Sequence, residues 1–456
     1  MSLNGRLVST LFLLLISHWS HGQSIEIFVE PGVEIVGHPQ LSNLDGISQN
    51  YAGITNDGHV IFQGSSLIEF MPGLFFPVPS ILFAEDVNQV DYLIGNGDPL
   101  GGAHTLNFGT DRDTDLYFNH KGDYCFRAFL RHNSDSDFDI GNALILGSIS
   151  NNVPGLEIID RDINAILQLS EKGNILYSGR DFVANKAALK LASLEEPTIL
   201  LTELGPLAGN PGSFVWSDEF DNNDDVNARF QESDDPLIGD NVFFARPYLN
   251  DFPQSSNVLF DGYAAYVHQA NQEESTFLLS ISTNAEKLVP YPYLSPNENK
   301  IDQYLVWVDA SDVPKGFYLQ SEGDTIAAGN LIVATNNPTA PLIDPDGRIY
   351  FHDTDGGVSR YDPDSENLTK VIEIADIGEE AVDVFGYSDS GLLVLVARNG
   401  DFIQSLWTYN PLNSSLKKFL DAETIVEGKT VGNFEKTGIM PRMPCLNGRE
   451  LYGIGY

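Results

Sequence analysis

Asn119-His120-Lys121-Gly122-Asp123-Tyr124-Cys125-Phe126 recurs along this chain in altered form. The shared pattern is a small polar residue, two further residues, a glycine, and an aromatic four positions after the glycine. It reappears as Thr55 to Gly58 with Phe62, Ser170 to Gly173 with Tyr177, and Asp344 to Gly347 with Phe351. Ser388 to Gly391 with Leu395, and Cys445 to Gly448 with Tyr452, are looser copies. An internal repeat constrains architecture before any other feature does.

The unit has a direct physical meaning. A Ser, Thr, Asn or Asp at the head of a turn bonds the backbone two residues on, and the glycine supplies the positive φ of a tight return. The residues two and four places after the glycine are mostly apolar, as in Val60 and Phe62, Tyr124 and Phe126, or Ile175 and Tyr177. A period of two puts both on one buried strand face. An apolar residue also precedes the turn in most copies (Ile54, Phe118, Leu169, Ile343, Tyr387), so each copy predicts a β-hairpin with a polar tip.

A second hairpin follows in the C-terminal third. Arg360-Tyr361-Asp362-Pro363 runs into Leu368-Thr369-Lys370, and Thr408-Tyr409-Asn410-Pro411 runs into Leu416-Lys417-Lys418. Two hairpins per unit make a four-stranded antiparallel sheet, the blade of a β-propeller. Gly205 to Gly212, a loose copy of the Gly97 to Gly102 element, leads into an eroded unit whose turn is Pro253 to Ser256 with Phe260 in the aromatic slot, and a further unit falls around Trp307 to Leu319. The expectation is an all-β chain, a β-propeller of about seven four-stranded blades, with six to eight as the range. The 456 residues, 41 Gly and 24 Pro suit a large core joined by many turns. Ala184 to Glu196 has helical composition, but the spacing of Leu189 and Leu191 and the following Pro197 predict a strand and turn.

Residues 1–22 read as an export signal. Arg6 precedes a short apolar core, Leu11 to Ile16, and Ser20-His21-Gly22 supplies small residues at cleavage-site spacing. The mature chain is expected to begin near Gln23, to form a single propeller domain over residues 23–456, and to be secreted or periplasmic. Cys125 and Cys445 occupy non-equivalent repeat positions, which favours two separate thiols over a disulfide.

The formal charge is -39, from 64 acidic against 25 basic residues. Phosphate attraction needs clustered Lys and Arg, so nucleic acid and anionic membranes are disfavoured as partners. No His pair has metal-ligand spacing, and Gly386 to Gly391 is a repeat turn rather than a hydrolase elbow. Gly95-Asn96-Gly97 leads into Pro99 and not into a helix, which argues against a dinucleotide loop. His120 is read as a solvated turn residue. The positive chemical signal is carboxylate spacing: Asp135, Asp137 and Asp139 before Gly141 place oxygen ligands at alternate positions, as a calcium loop does. Asp111 to Asp115 and Asp353 to Asp355 are shorter variants.

The turn-strand unit, with Gly97-Asp98-Pro99-Leu100-Gly101 ahead of it, resembles exported bacterial proteins that carry tandem Asn-x-x-Gly-x-x-Ala-Phe repeats. Asn119 to Phe126 matches with Cys125 in the Ala slot; the other copies open with Thr, Ser, Asp or Cys. The Tyr-Asx-Pro hairpins are similar to those of kelch-like propellers. The resemblance implies a surface or extracellular repeat protein with no catalytic residue to carry over. The expected function is therefore a monomeric, non-catalytic scaffold that presents loops to a protein or glycan. The alternative is a propeller hydrolase or lyase with a site assembled from residues distant in sequence.

Overall fold

In a computed structural model of the chain, the described residues run, with short breaks, over 11–132, 139–149, 156–192, 199–203, 227–231, 241–248, 262–268, 276–291, 303–321, 330–435 and 449–455. They form seven successive antiparallel meanders of four strands, several extended by a short extra strand. Blade I is Leu41–Ile54, Val60–Met71, Leu74–Asp86 and Gln89–Gly95, with Ile35–Val36 parallel to the last. Blade II is Leu116–Phe118, Asp123–His132, Asp139–Ser148 and Glu157–Arg161. Its second strand also pairs with His104–Asn107. Blade III is Ile163–Leu169, Ile175–Asp181, Lys186–Ala192 and Ile199–Glu203. The segment of helical composition is thus the strand its neighbours predicted.

Blade IV is Asn227–Gln231, Asn241–Tyr248, Gly262–His268 and Thr276–Ser282, and blade V is Ala285–Tyr291, Gln303–Ala310, Gly316–Ser321 and Leu331–Ala334. Blade VI is Leu342–Ile343, Ile349–His352, Val358–Asp362 and Asn367–Ile372. Blade VII is Ala381–Tyr387, Leu393–Asn399, Phe402–Asn410 and Ser415–Asp421. This run of four-stranded sheets is the β-propeller architecture.

One register repeats in five blades. The residue before the turn faces the residue two after the glycine: Ile54 with Val60, Phe118 with Tyr124, Leu169 with Ile175, Ile343 with Ile349, and Tyr387 with Leu393. Each of these turns joins the first and second strands of its blade. The aromatic-slot residues Phe62, Phe126, Tyr177, Phe351 and Leu395 are all buried. A single turn chemistry therefore sets both the register and the core face in these five copies.

The turn openers Thr55, Asn119, Ser170 and Asp344 are buried because their side chains serve the backbone. Asn119 Oδ1 accepts the N–H groups of Lys121 (3.1 Å) and Asp123 (2.9 Å). Ser170 Oγ takes those of Lys172 (3.3 Å) and Asn174 (3.1 Å), and Asp344 Oδ1 takes those of Asp346 (3.0 Å) and Arg348 (2.9 Å). Gly122, Gly173, Gly347 and Gly391 have φ of 91°, 83°, 80° and 80°. The turn into the second hairpin of blade VI, Asp353 to Gly357, repeats the backbone bonds, with Gly356 at φ 87°.

The chain divides into two compact units, residues 1–140, 145–157 and 374–456, and residues 141–144 and 158–373. In the first, Val29, Ile35, Leu44, Val60, Phe62 and Leu82 share one core cluster. In the second, Val267 of blade IV packs with Val306 and Tyr318 of blade V, and Trp307 and Phe317 of blade V pack with Ile349 and Phe351 of blade VI. Blades in this unit thus bury their faces against the next blade.

The sixth copy departs from expectation. Arg449–Gly455 lies in a three-stranded sheet with Leu11–Trp19 and Gly22–Val29, and the turn expected before it falls outside the described residues. Residues 25–29 do share a sheet with the last repeat strand, but Leu14 stands between, opposite Ile27 on one side and Tyr452 on the other. The run Leu11 to Ile16 suits a leader core and a central strand equally, since a short apolar stretch carries no period to separate the two.

Candidate interaction surface

Blade I has one strand pair that outruns its sheet. Val60–Met71 and Leu74–Asp86 pair from Val60 opposite Ala84 to Met71 opposite Leu74. The neighbouring strand Leu41–Ile54 reaches only to Ile68, and Gln89–Gly95 only to Ser80. Residues 69–79 therefore extend beyond both neighbours. Pro72 and Gly73 make the turn, with Gly73 at φ 80° and its N–H donating to Glu69 Oε1 at 2.8 Å.

This tip is apolar and exposed. Met71, Leu74, Phe75 and Phe76 are 55%, 45%, 45% and 48% exposed. Leu74, Phe75 and Phe76 are consecutive, so their side chains point to both faces of the hairpin. A strand packed on a core exposes alternate residues; here consecutive side chains are each about half exposed. Single exposed apolar residues are ordinary, whereas a contiguous run marks an interaction site. Glu69 is itself exposed and tied to the turn.

Three polar clusters are built into the blades. Asp160 Oδ2 accepts the Tyr177 hydroxyl at 2.7 Å and the Lys190 ammonium at 2.8 Å, with Lys190 buried and 5.9 Å from the Tyr177 ring centroid. This ties the last strand of blade II to the second and third strands of blade III. In blade VI, Asp344 Oδ2 accepts the Tyr350 hydroxyl at 3.2 Å, and Arg348 lies 3.6 Å from the same carboxylate. Burial, then the Asp344 charge, pushes the Tyr350 hydroxyl up from its ordinary pKa. The Gly97-Asp98-Pro99 element works similarly: Asp98 Oδ2 accepts Tyr92 Oη at 2.6 Å and the Gly95 N–H at 2.9 Å.

The third cluster bears on cation binding. Lys370 Nζ bonds Asp355 and lies 3.8 Å from Asp353 and 3.5 Å from Glu373. The ammonium stands where the acidic spacing suggested a metal ion. Asp353 Oδ2 also accepts the Ser359 hydroxyl at 2.6 Å. Among the described residues no three His, Cys, Asp or Glu side chains converge as metal ligands.

Of the other sequence candidates, Asp135 and Asp137 lie outside the described residues, and Asp139 opens the strand Asp139–Ser148 with its side chain likewise outside. Asp111 to Asp115, His120, Gly205 to Gly212, Pro253 to Ser256, Phe260 and Cys445 also lie outside. Cys125 is buried in blade II. Burial raises the pKa of the Tyr124 hydroxyl, which faces no protein hydrogen-bond partner; the same holds for both amide atoms of buried Gln320. Gly95-Asn96-Gly97 leads into a strand pair, Pro99 opposite Thr105, and not a helix.

No family model and no curated protein matches the chain. Among solved structures, the β-propeller domain of the Trilobed protease from Pyrococcus furiosus aligns at 11% identity over 82% of this chain and 98% of its own, with a TM-score of 0.42. A eukaryotic initiation factor aligns at 8% identity over 99% and 98%, with a TM-score of 0.46. A prolyl endopeptidase aligns at 9% identity and a TM-score of 0.42; 82% of this chain spans half of that protein. The protein is thus an all-β chain of propeller blades carrying an internal turn-strand repeat, an assignment that rests on its own sheet order.

Proposed function

We propose that the protein is an exported, non-catalytic β-propeller scaffold that binds a partner through a loop presented at the margin of a blade. The observation that carries this reading is the apolar hairpin tip at Met71 to Phe76. Keeping such a run in water works against solubility, which the chain's -39 charge otherwise favours, and a contact surface accounts for it. The polar clusters fit a structural role: Asp344 and Asp353 take bonds from tyrosine, serine or backbone groups of their own blade, and Asp160 takes those of Tyr177 and Lys190 from the next blade.

The test pairs a binding measurement with an activity measurement. Purified wild type and a quadruple Met71→Ser, Leu74→Ser, Phe75→Ser, Phe76→Ser variant are compared on protein and glycan arrays, then incubated with ester, peptide and uronide substrates. Retention that the variant loses, with no turnover by either form, is the expected result. Turnover by the wild type overturns the non-catalytic reading, and retention unaffected by the variant overturns the tip as the contact.

A further inference from the structure

The tip also indicates the chemistry of its occupant, an inference that rests on the scaffold reading. From residue 7 to residue 111 the sequence contains no Lys or Arg. Around the hairpin, Glu34, Glu69 and Glu85 are exposed. The surface offered to a partner is thus an apolar finger on a hairpin whose own charged residues are all acidic, with one carboxylate, Glu69, held at the turn by the Gly73 N–H.

Each competing occupant meets an obstacle in these residues. A membrane-seated hairpin gains from Lys or Arg at the headgroups, and none is present here; Glu69 would be carried toward the acyl region. A second copy would set two surfaces of like charge together. Strand addition is blocked as well. On Leu74–Asp86, Pro79 already takes the Asn96 N–H at 3.0 Å, and Pro77, two residues further out on the same edge, has no donor to offer an added strand. What remains is recognition by side chains.

We propose that the Met71–Phe76 tip inserts into an apolar cleft of a partner protein whose rim carries Lys or Arg, with a rim cation pairing Glu69. Phe75 and Phe76 supply the buried anchors, and the acidic residues of the hairpin steer the encounter. Glu69 selects, because a cleft with an acidic or purely apolar rim leaves its carboxylate desolvated without a partner.

The probe is a fluorescently labelled amphipathic helical peptide of Leu and Lys, which presents an apolar face flanked by ammonium groups. Its counterpart carries Glu for Lys. Binding is read by anisotropy at about 0.15 M salt, where long-range attraction is screened. The full chain should bind the Lys peptide and not the Glu peptide. The Phe75→Ser, Phe76→Ser variant should lose about tenfold or more in affinity, with the Met71→Ser, Leu74→Ser variant as a second truncation. Glu69→Gln should lose about threefold and show a shallower salt dependence. Unchanged melting curves establish that the variants are folded. Equal binding by the tip variants would reduce the effect to bulk charge and overturn the proposal. So would tip-dependent flotation with phosphatidylcholine vesicles, or a dimer in sedimentation that the variants dissolve. Tip-dependent retention of only acidic or uncharged proteins on the arrays would overturn the basic rim while leaving the scaffold reading intact.

Discussion

Asn119 closes on Asp123 three times: its backbone N–H donates to the Asp123 carbonyl at 2.9 Å, its Oδ1 accepts the Asp123 N–H at 2.9 Å, and its Nδ2 donates to Asp123 Oδ2 at 2.9 Å. The side chain substitutes for a strand partner at the one point where the hairpin has none. Asn119→Ala leaves the N–H groups of Lys121 and Asp123 without that acceptor and should cost about 1 to 2 kcal/mol. Ser170→Ala should behave alike; Asp344→Ala should cost more, because it also strips the Tyr350 hydroxyl and Arg348 of their partner; and Asn119→Asp should recover only part of the stability, because it keeps the acceptor but loses the Nδ2 donor and faces the Asp123 carboxylate. Urea midpoints compare the four; a neutral Asn119→Ala would mean that the glycine and the strand pairing alone hold the turn.

The glycine of the same turn gives a sharper contrast. Gly122 stands at φ 91°, and a Cβ added there would lie 2.5 Å from Ile149 Cγ1. Gly122→Val therefore combines backbone strain with a collision and should cost about 2 to 3 kcal/mol. Gly386 has an ordinary φ and nothing within 4 Å of an added Cβ. Gly386→Ala should change stability by about 0.5 kcal/mol or less. Comparable losses at the two positions would refute the assignment of strain to Gly122.

Most of the fold was legible because the information is local. Asx bonds and a positive-φ glycine act within five residues, so Thr55, Asn119, Ser170 and Asp344 announce their hairpins in the sequence. Two features were not legible for opposite reasons. Lys370 reaches Asp355 from the returning strand, 15 residues away, and spacing among carboxylates says nothing about a cation arriving from elsewhere. The tip was visible as Phe70-Met71-Pro72-Gly73-Leu74-Phe75-Phe76, a run with too many apolar residues for a period of two. Its meaning depended on how far the neighbouring strands reach, which register fixes and composition does not.

The Lys370 cluster carries a pH signature. The hydrogen bond from Lys370, followed by the Gly357 N–H, holds the Asp355 carboxyl below its ordinary pKa, and the bond to Asp355 holds Lys370 above its own. A lowered acid contributes stability above its unfolded pKa and loses it as pH falls through the folded value. A raised base contributes below its unfolded pKa and loses it as pH rises through the folded value. The pair should count most between about pH 4 and pH 10. Asp355 is exposed, so screening keeps the contribution to about 0.5 kcal/mol or less. Lys370→Met should remove this increment near neutrality and shrink the loss on acidification; an identical acid limb would show that the pair is energetically silent.

Two hairpins in blades VI and VII carry the same strained residue. Asp362 faces Asn367 and Asn410 faces Ser415, and the residues before the return, Glu366 and Ser414, have φ of 51° and 55°. Asp362 Oδ1 accepts the Asp364 N–H at 3.1 Å, and Asn410 Oδ1 the Leu412 N–H at 2.9 Å. A Cβ in the left-handed region costs about 1 to 2 kcal/mol, part of which glycine gives back through unfolded-state entropy. Glu366→Gly and Ser414→Gly should each raise stability by about 0.5 kcal/mol. A loss at both sites would mean that the side chains, and not the turn geometry, stabilise the returns.

The N-terminal strand tests whether residues after the expected leader belong to the folded body. Val29 is buried with Ile35, Leu44, Val60, Phe62 and Leu82, so Gly22–Val29 contributes to the core of blade I as well as to the terminal sheet. Leu11–Trp19 carries the apolar run read as an export signal, yet it occupies the middle of that sheet. Removing residues 25–29 takes out a core side chain and a strand, at a cost on the order of 3 kcal/mol or more. Removing residues 1–22 takes out the middle strand and leaves Val29 in place. The chain beginning at Gln23 should therefore melt closer to the full chain than does the form lacking residues 25–29, and N-terminal sequencing of exported protein should begin near Gln23. Equal melting of all three forms would place the whole N-terminal segment outside the cooperative core.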